Sequence, residues 1–105
     1  MGWIYLLIAG IFEVGWPLGL KFAQDSEHKF WWILFAIITM ALSGYFLFFA
    51  QKYIPIGTAY AVWTGIGTIG TFFLGIFLFQ DIVTTLRILG VFLILAGVII
   101  LKLSH

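Results

Sequence analysis

Polar residues in this chain gather in a few short clusters, and between them run four stretches that are almost wholly apolar. The first covers 2–20 and ends at the cluster KFAQDSEHK, 21–29. The second covers 30–50 and is closed by Gln51 and Lys52. The third, 54–79, has Pro55 and Gly57 at its entry. Gln80 and Asp81 separate it from the fourth, 82–101, which ends in the tail 102–105. Each stretch has about the 20 residues that a helix needs to cross ~30 Å of hydrocarbon. A backbone in lipid must satisfy its own hydrogen bonds, so the pattern predicts an all-α integral membrane protein, a single domain over 1–105 with four transmembrane helices. Trp3, Trp31, Trp32 and Tyr53 fall near the ends of these runs, where amphipathic rings settle at the headgroups.

Composition agrees with the pattern. The 105 residues are 64% hydrophobic and 9% charged, with a mean hydropathy of +1.20. Soluble domains are about 25% charged, so this chain cannot build a water-facing surface. There is no cysteine, hence no disulfide and no thiolate metal site. A net charge of +1 offers no basic face for nucleic acid. The first run lacks a basic n-region and a small-residue cleavage site and is expected to stay as a span. Gly2 is not followed by the Ser or Thr at position 6 that myristoylation needs.

Charge distribution opens a question of topology. Four spans place Lys21, Lys29 and Arg87 on one side of the membrane, and Lys52, Lys102 and the N-terminal amine on the other. Orientation follows an excess of Lys and Arg on one side, and here there is almost none. A weak bias fixing one orientation and insertion both ways, giving antiparallel dimers, are both compatible with it. Four short helices are too few to enclose a pathway, so an oligomer is expected in either case. Two oppositely inserted copies would supply the inverted repeat that larger transporters build within one chain.

Glu13 is the acid that matters. It stands in the middle of the first run with no basic neighbour, where an ionised, unpaired carboxylate costs between ~3 and more than ~10 kcal/mol. Helical spacing puts Ala9, Gly10, Trp16 and Pro17 on its face. Pro17 has no N–H, which frees the carbonyl of Glu13 and predicts a kink at the level of the acid. The second span carries Thr39 and Ser43 on one face. The third carries a stripe of Tyr60, Trp63, Thr64, Gly67 and Thr71, beside an apolar stripe of Val62, Ile66, Ile69, Phe73 and Ile76. Trp63 lies too deep for an interfacial anchor, and buried Tyr and Trp need partners for their O–H and N–H groups, a nearby carboxylate being the obvious one. Gly65, Gly67 and Gly70 suit either a hinge or close helix packing. The fourth span has no polar side chain from 88 to 101, but Gly90 and Gly97 share a face suited to association between subunits. Asp25, Glu27, Asp81, His28 and His105 lie in loops or the tail and are assigned no role. No nucleophile–base–acid arrangement, phosphate-binding loop or metal cluster is evident, so catalysis is not expected.

The run from Pro55 to Gly67 (PIGTAYAVWTGIG), with four spans in about 105 residues and a lone acid in the first, resembles the small multidrug resistance transporters over essentially the whole chain. Trp16, Pro17, Leu20 and Lys21 after the acid, Ser43 in the second span, and Thr58 and Thr64 around the aromatic pair resemble the guanidinium exporter subtype. The first loop and Gln80-Asp81 depart from the commoner family patterns, both away from the expected site.

This resemblance implies an antiparallel, dual-topology homodimer in the inner membrane of a prokaryote. It implies a cofactor-free exchange of guanidinium-type small cations for protons by alternating access, driven by the proton gradient. Glu13 would bind both proton and substrate, lined by Gly10, Trp16, Ser43, Tyr60 and Trp63; Pro17, Gly65 and Gly67 stay the kink and hinge candidates read from the residues themselves. Two alternatives stay open within it: a broader exporter of quaternary ammonium or drug cations, and one subunit of a heterodimer.

Overall fold

The computed structural model, which describes residues 2–104, has one helix in each apolar run: α1 (Gly2–Asp25), α2 (Lys29–Ala50), α3 (Ile56–Phe79) and α4 (Thr85–Ser104). Met1 and the tail residue His105 lie outside the described residues. All four helices are long and apolar enough to span a bilayer, and the chain is a multi-pass membrane protein.

Helix ends follow local chemistry more closely than hydropathy does. α1 continues past the apolar run to Asp25 and is unbroken across Pro17; its polar last turn extends toward the headgroups. The Ser26 hydroxyl accepts the His28 N–H at 2.9 Å ahead of α2. Pro55 (φ −55°) opens α3 with its ring already at a helical φ, and its carbonyl accepts the Ala59 N–H at 2.9 Å. The fourth apolar run begins at Ile82 but its helix begins at Thr85, because Thr84 caps it: the Thr84 hydroxyl accepts the Arg87 N–H at 3.1 Å. At the end of α3 the chain reverses at Gln80, which takes the left-handed conformation (φ 56°, ψ 38°), at a cost of roughly 1–2 kcal/mol for a residue with a side chain. The Gly75 carbonyl accepts the N–H groups of both Gln80 and Asp81 there.

The helices stand in a row in the order α2, α1, α3, α4. α1 packs along α2 on one side and α3 on the other, while α4 packs on the far side of α3. The backbone extends 45 × 35 × 16 Å. Contacts between helices follow that row, so the protomer is a palisade, a single layer of helices. Small residues let neighbours close in, as expected where lipid provides no hydrophobic drive between helices. A Cβ on Gly10 would stand 2.5 Å from Ile66, one on Gly70 2.6 Å from Val14, and one on Gly65 2.5 Å from Val98. The buried cluster is correspondingly small: Leu6, Ala50, Ile54, Ala59 and Val62.

Ring contacts fix the up-and-down course of the chain. Phe22 of α1 meets Phe79 of α3 at 5.1 Å, and the Lys102 ammonium of α4 lies 5.9 Å over the Trp3 ring of α1. Lys21, Lys29 and Arg87 therefore share one end, and Lys52 and Lys102 the other. A methyl group at Gly90 or Gly97 would meet nothing within 4 Å, and Val91 is the buried residue of α4; that face is open to lipid or to a partner.

Candidate functional site

Glu13 lies midway along α1, half-buried, on one face of the palisade. Two features hold it. The Trp16 indole N–H, one turn on, donates to its Oε1. Beneath it, α3 comes so close that a Cβ on Gly67 would stand 2.5 Å from Glu13 Cγ and 3.2 Å from its Cβ. Gly67 is thus the seat of the acid's side chain. Gly65, two residues earlier, faces the other way and receives Val98 of α4.

An open groove of about 460 Å³ surrounds the carboxylate, lined by Trp16, Pro17, Thr64, Thr68, Thr71 and Phe72 besides Glu13 and Gly67. The three threonines follow the helical repeat on one face of α3. The Thr68 hydroxyl donates to the Thr64 carbonyl at 2.8 Å, leaving its oxygen to accept. A carboxylate with hydroxyl oxygens beside it suits a small cation rimmed with N–H donors.

Ser43, Trp63 and Tyr60 form a second, adjoining arrangement. Ser43 is fully buried; its hydroxyl donates to the Ala9 carbonyl at 2.7 Å and accepts the Trp63 indole N–H at 2.8 Å. One hydroxyl thereby ties α1, α2 and α3 together a turn before Glu13. The carboxylate expected as partner for Trp63 is replaced by this serine, and the single Ser43 proton is committed to backbone rather than to Glu13. Tyr60 leans on Trp63, with ring centroids 5.4 Å apart, and is 58% exposed; its ring opens onto the protomer's surface. Gly10 lies one turn before Glu13, yet Ile66 fills its open side, so it brings α3 against α1 and is not among the residues lining the groove. Pro17 does line it.

Sequence reasoning missed two groups. Thr68 belongs to the groove and was readable from the stripe that includes Thr64 and Thr71. Asp81, set aside as a loop acid, also lines the groove, carried there by the reversal at Gln80. Among the described residues no cluster of His, Cys, Asp and Glu is able to hold a metal ion.

Comparison with known proteins agrees with this architecture. Residues 1–94 match the family model described as Small Multidrug Resistance protein. A protein of Yersinia pseudotuberculosis named "Guanidinium exporter" is 50% identical over 104 residues, covering 99% of both chains. Proteins of the same name from Salmonella typhimurium and Citrobacter freundii are 47% identical over 107 residues, covering 99% of this chain and 98% of theirs.

Proposed function

The chain belongs to the small multidrug resistance family, and from that premise we propose that it exports guanidinium and small substituted guanidinium cations in exchange for protons. It is a transporter and not an enzyme, as its relatives are. The observation that carries the reading is the placement of Glu13: a carboxylate oriented by Trp16, seated on Gly67 and opening into a groove on one face of a protomer too thin to enclose it.

A second copy facing that groove completes the pathway. We take it to be the same chain inserted in the opposite sense, since Lys and Arg are divided almost evenly between the two ends. The pair then holds two Glu13 carboxylates in one chamber, which carry either protons or a cation. This mutual exclusion is the coupling, and alternating access follows if the occupied pair rocks between two equivalent states. Guanidinium is planar, weakly hydrated and able to meet a carboxylate through two parallel hydrogen bonds. Thr64, Thr68 and Thr71 add acceptor oxygens, and Trp16 keeps the carboxylate in place. Ser43 and Trp63 position α1 and α3 around the site, and Tyr60 leans on Trp63 from the exposed side. Gly90 and Gly97 offer the partner a smooth face on α4. The setting is the inner membrane of a prokaryote, in keeping with the bacterial sources of the relatives.

Purified protein in liposomes tests the transport reading. Under a proton gradient, guanidinium and methylguanidine are expected to accumulate with counterflow of protons, while tetraalkylammonium, which has no N–H, moves poorly. Equal transport of a bulky aromatic cation would overturn the substrate class, and flux indifferent to the pH gradient would point to a channel. Topology has its own test. A membrane-impermeant reagent directed at a C-terminal tag on intact vesicles is expected to label about half the copies; labelling of all or none would refute dual insertion.

A further inference from the structure

The turn between α3 and α4 places a second carboxylate on the groove that holds Glu13. Asp81 lines that groove and also the adjoining cavity of about 270 Å³, which reaches Lys21, Leu74, Gly75 and Phe79 at the membrane end. Its position is built. Gln80 adopts its left-handed conformation, the Asp81 N–H is held by the Gly75 carbonyl at 3.0 Å, and Gly75 has no side chain where the Asp81 carboxylate lies against α3.

Asp81 is also left unpaired among basic neighbours. The Lys21 ammonium sits over the Phe79 ring at 5.8 Å, and the Arg87 guanidinium donates to the Ile82 carbonyl at 3.4 Å. Neither forms an ion pair with Asp81 among the described residues. Between the two carboxylates, residues 68, 71 and 75 follow one stripe of α3. Gly67, under Glu13, and Gly75, under Asp81, are separated by about 12 Å along the helix axis.

We propose that Asp81 is the outer docking carboxylate of the cation path, holding a guanidinium ion at the membrane end before it passes Thr71 and Thr68 to reach Glu13. This rests on the reading of the chain as a guanidinium exporter. In an antiparallel pair each membrane side would carry one such residue, so entry and exit are equivalent. The chemistry asked of Asp81 differs from that of Glu13: it is exposed and raises the local concentration of cation at the mouth of the groove.

The test is guanidinium uptake by the reconstituted full chain and its Asp81→Asn and Asp81→Glu variants, measured at ionic strengths of ~0.01 M and ~1 M, between which the screening length falls from about 30 to 3 Å. Asp81→Asn is expected to raise KM about three- to fivefold at low ionic strength, in line with an exposed charge pair, with the maximal rate kept. The gap should close at high ionic strength, and Asp81→Glu should restore the wild-type KM. A purely structural Asp81 would lower the maximal rate at both ionic strengths, and that result overturns the proposal. So does an Asp81→Asn protein with unchanged KM at low ionic strength in a preparation whose wild type transports guanidinium; the functional reading then survives. A wild type that moves no guanidinium overturns both.

Discussion

Glu13→Gln is expected to reduce proton-coupled guanidinium transport by at least ~100-fold while leaving the protein folded. Glutamine keeps the shape of the side chain and can still accept the Trp16 N–H, so the local packing on Gly67 survives. What disappears is the negative charge. Hydrogen bonds to a charged group are worth about 1.5–3 kcal/mol each, and a guanidinium held through two of them on Glu13 loses ~3–6 kcal/mol of binding. The variant also has no group in the membrane interior to carry the proton, so any residual guanidinium flux should ignore the pH gradient. Size-exclusion chromatography of the purified variant separates this outcome from misfolding. Coupled transport at the wild-type rate would remove Glu13 from the mechanism.

A methyl group at position 67 should do nearly as much damage from the opposite helix. The Cβ of Gly67→Ala would press on the middle of the Glu13 side chain, 2.5 Å from Cγ and 3.8 Å from Cδ. Glu13 must then turn to another rotamer or α3 must withdraw from α1. The first breaks the bond from Trp16, at ~1.5–3 kcal/mol for a charged acceptor; the second loosens the contact of Gly10 with Ile66. Guanidinium affinity is expected to fall at least ~10-fold, and Gly67→Val should bind none. Gly44→Ala is the control: its methyl group meets nothing within 4 Å in the protomer. If Gly67→Ala binds guanidinium as tightly as the wild type, Gly67 is not the seat of the carboxylate.

Much of this was legible in the sequence because lipid is a demanding solvent. Four apolar runs in hydrocarbon have to be helices, and an acid within one of them has to be explained. The link from Trp16 to Glu13 was equally accessible, since it depends only on the three-residue spacing along one helix. What escaped was set by how helices cross. Gly67 suited a hinge or a packing face, and only the register of α3 on α1 makes it the floor under Glu13. Ser43 and Trp63 sit on helices that scarcely touch; they meet because both lean on α1 at Ala9. Asp81 looked like a solvated loop acid, and its place on the groove depends on Gln80 taking a backbone conformation that its residue type does not announce. The start of α4 at Thr85 instead of Ile82 has a simpler cause, for a threonine cap outweighs two more apolar residues of hydropathy.

A palisade of a single layer of helices has two faces and no interior. A solitary copy in the bilayer therefore turns Glu13 and its threonines toward acyl chains, an exposure that is costly for an uncovered charge and vanishes when a second copy covers it. On the proposed reading, the carboxylate that receives the cargo is then also an adhesive. If so, where lipid is abundant and copies are few, the group that makes a protomer useful would make it unstable alone, and the number of working units would follow how reluctantly the membrane admits water.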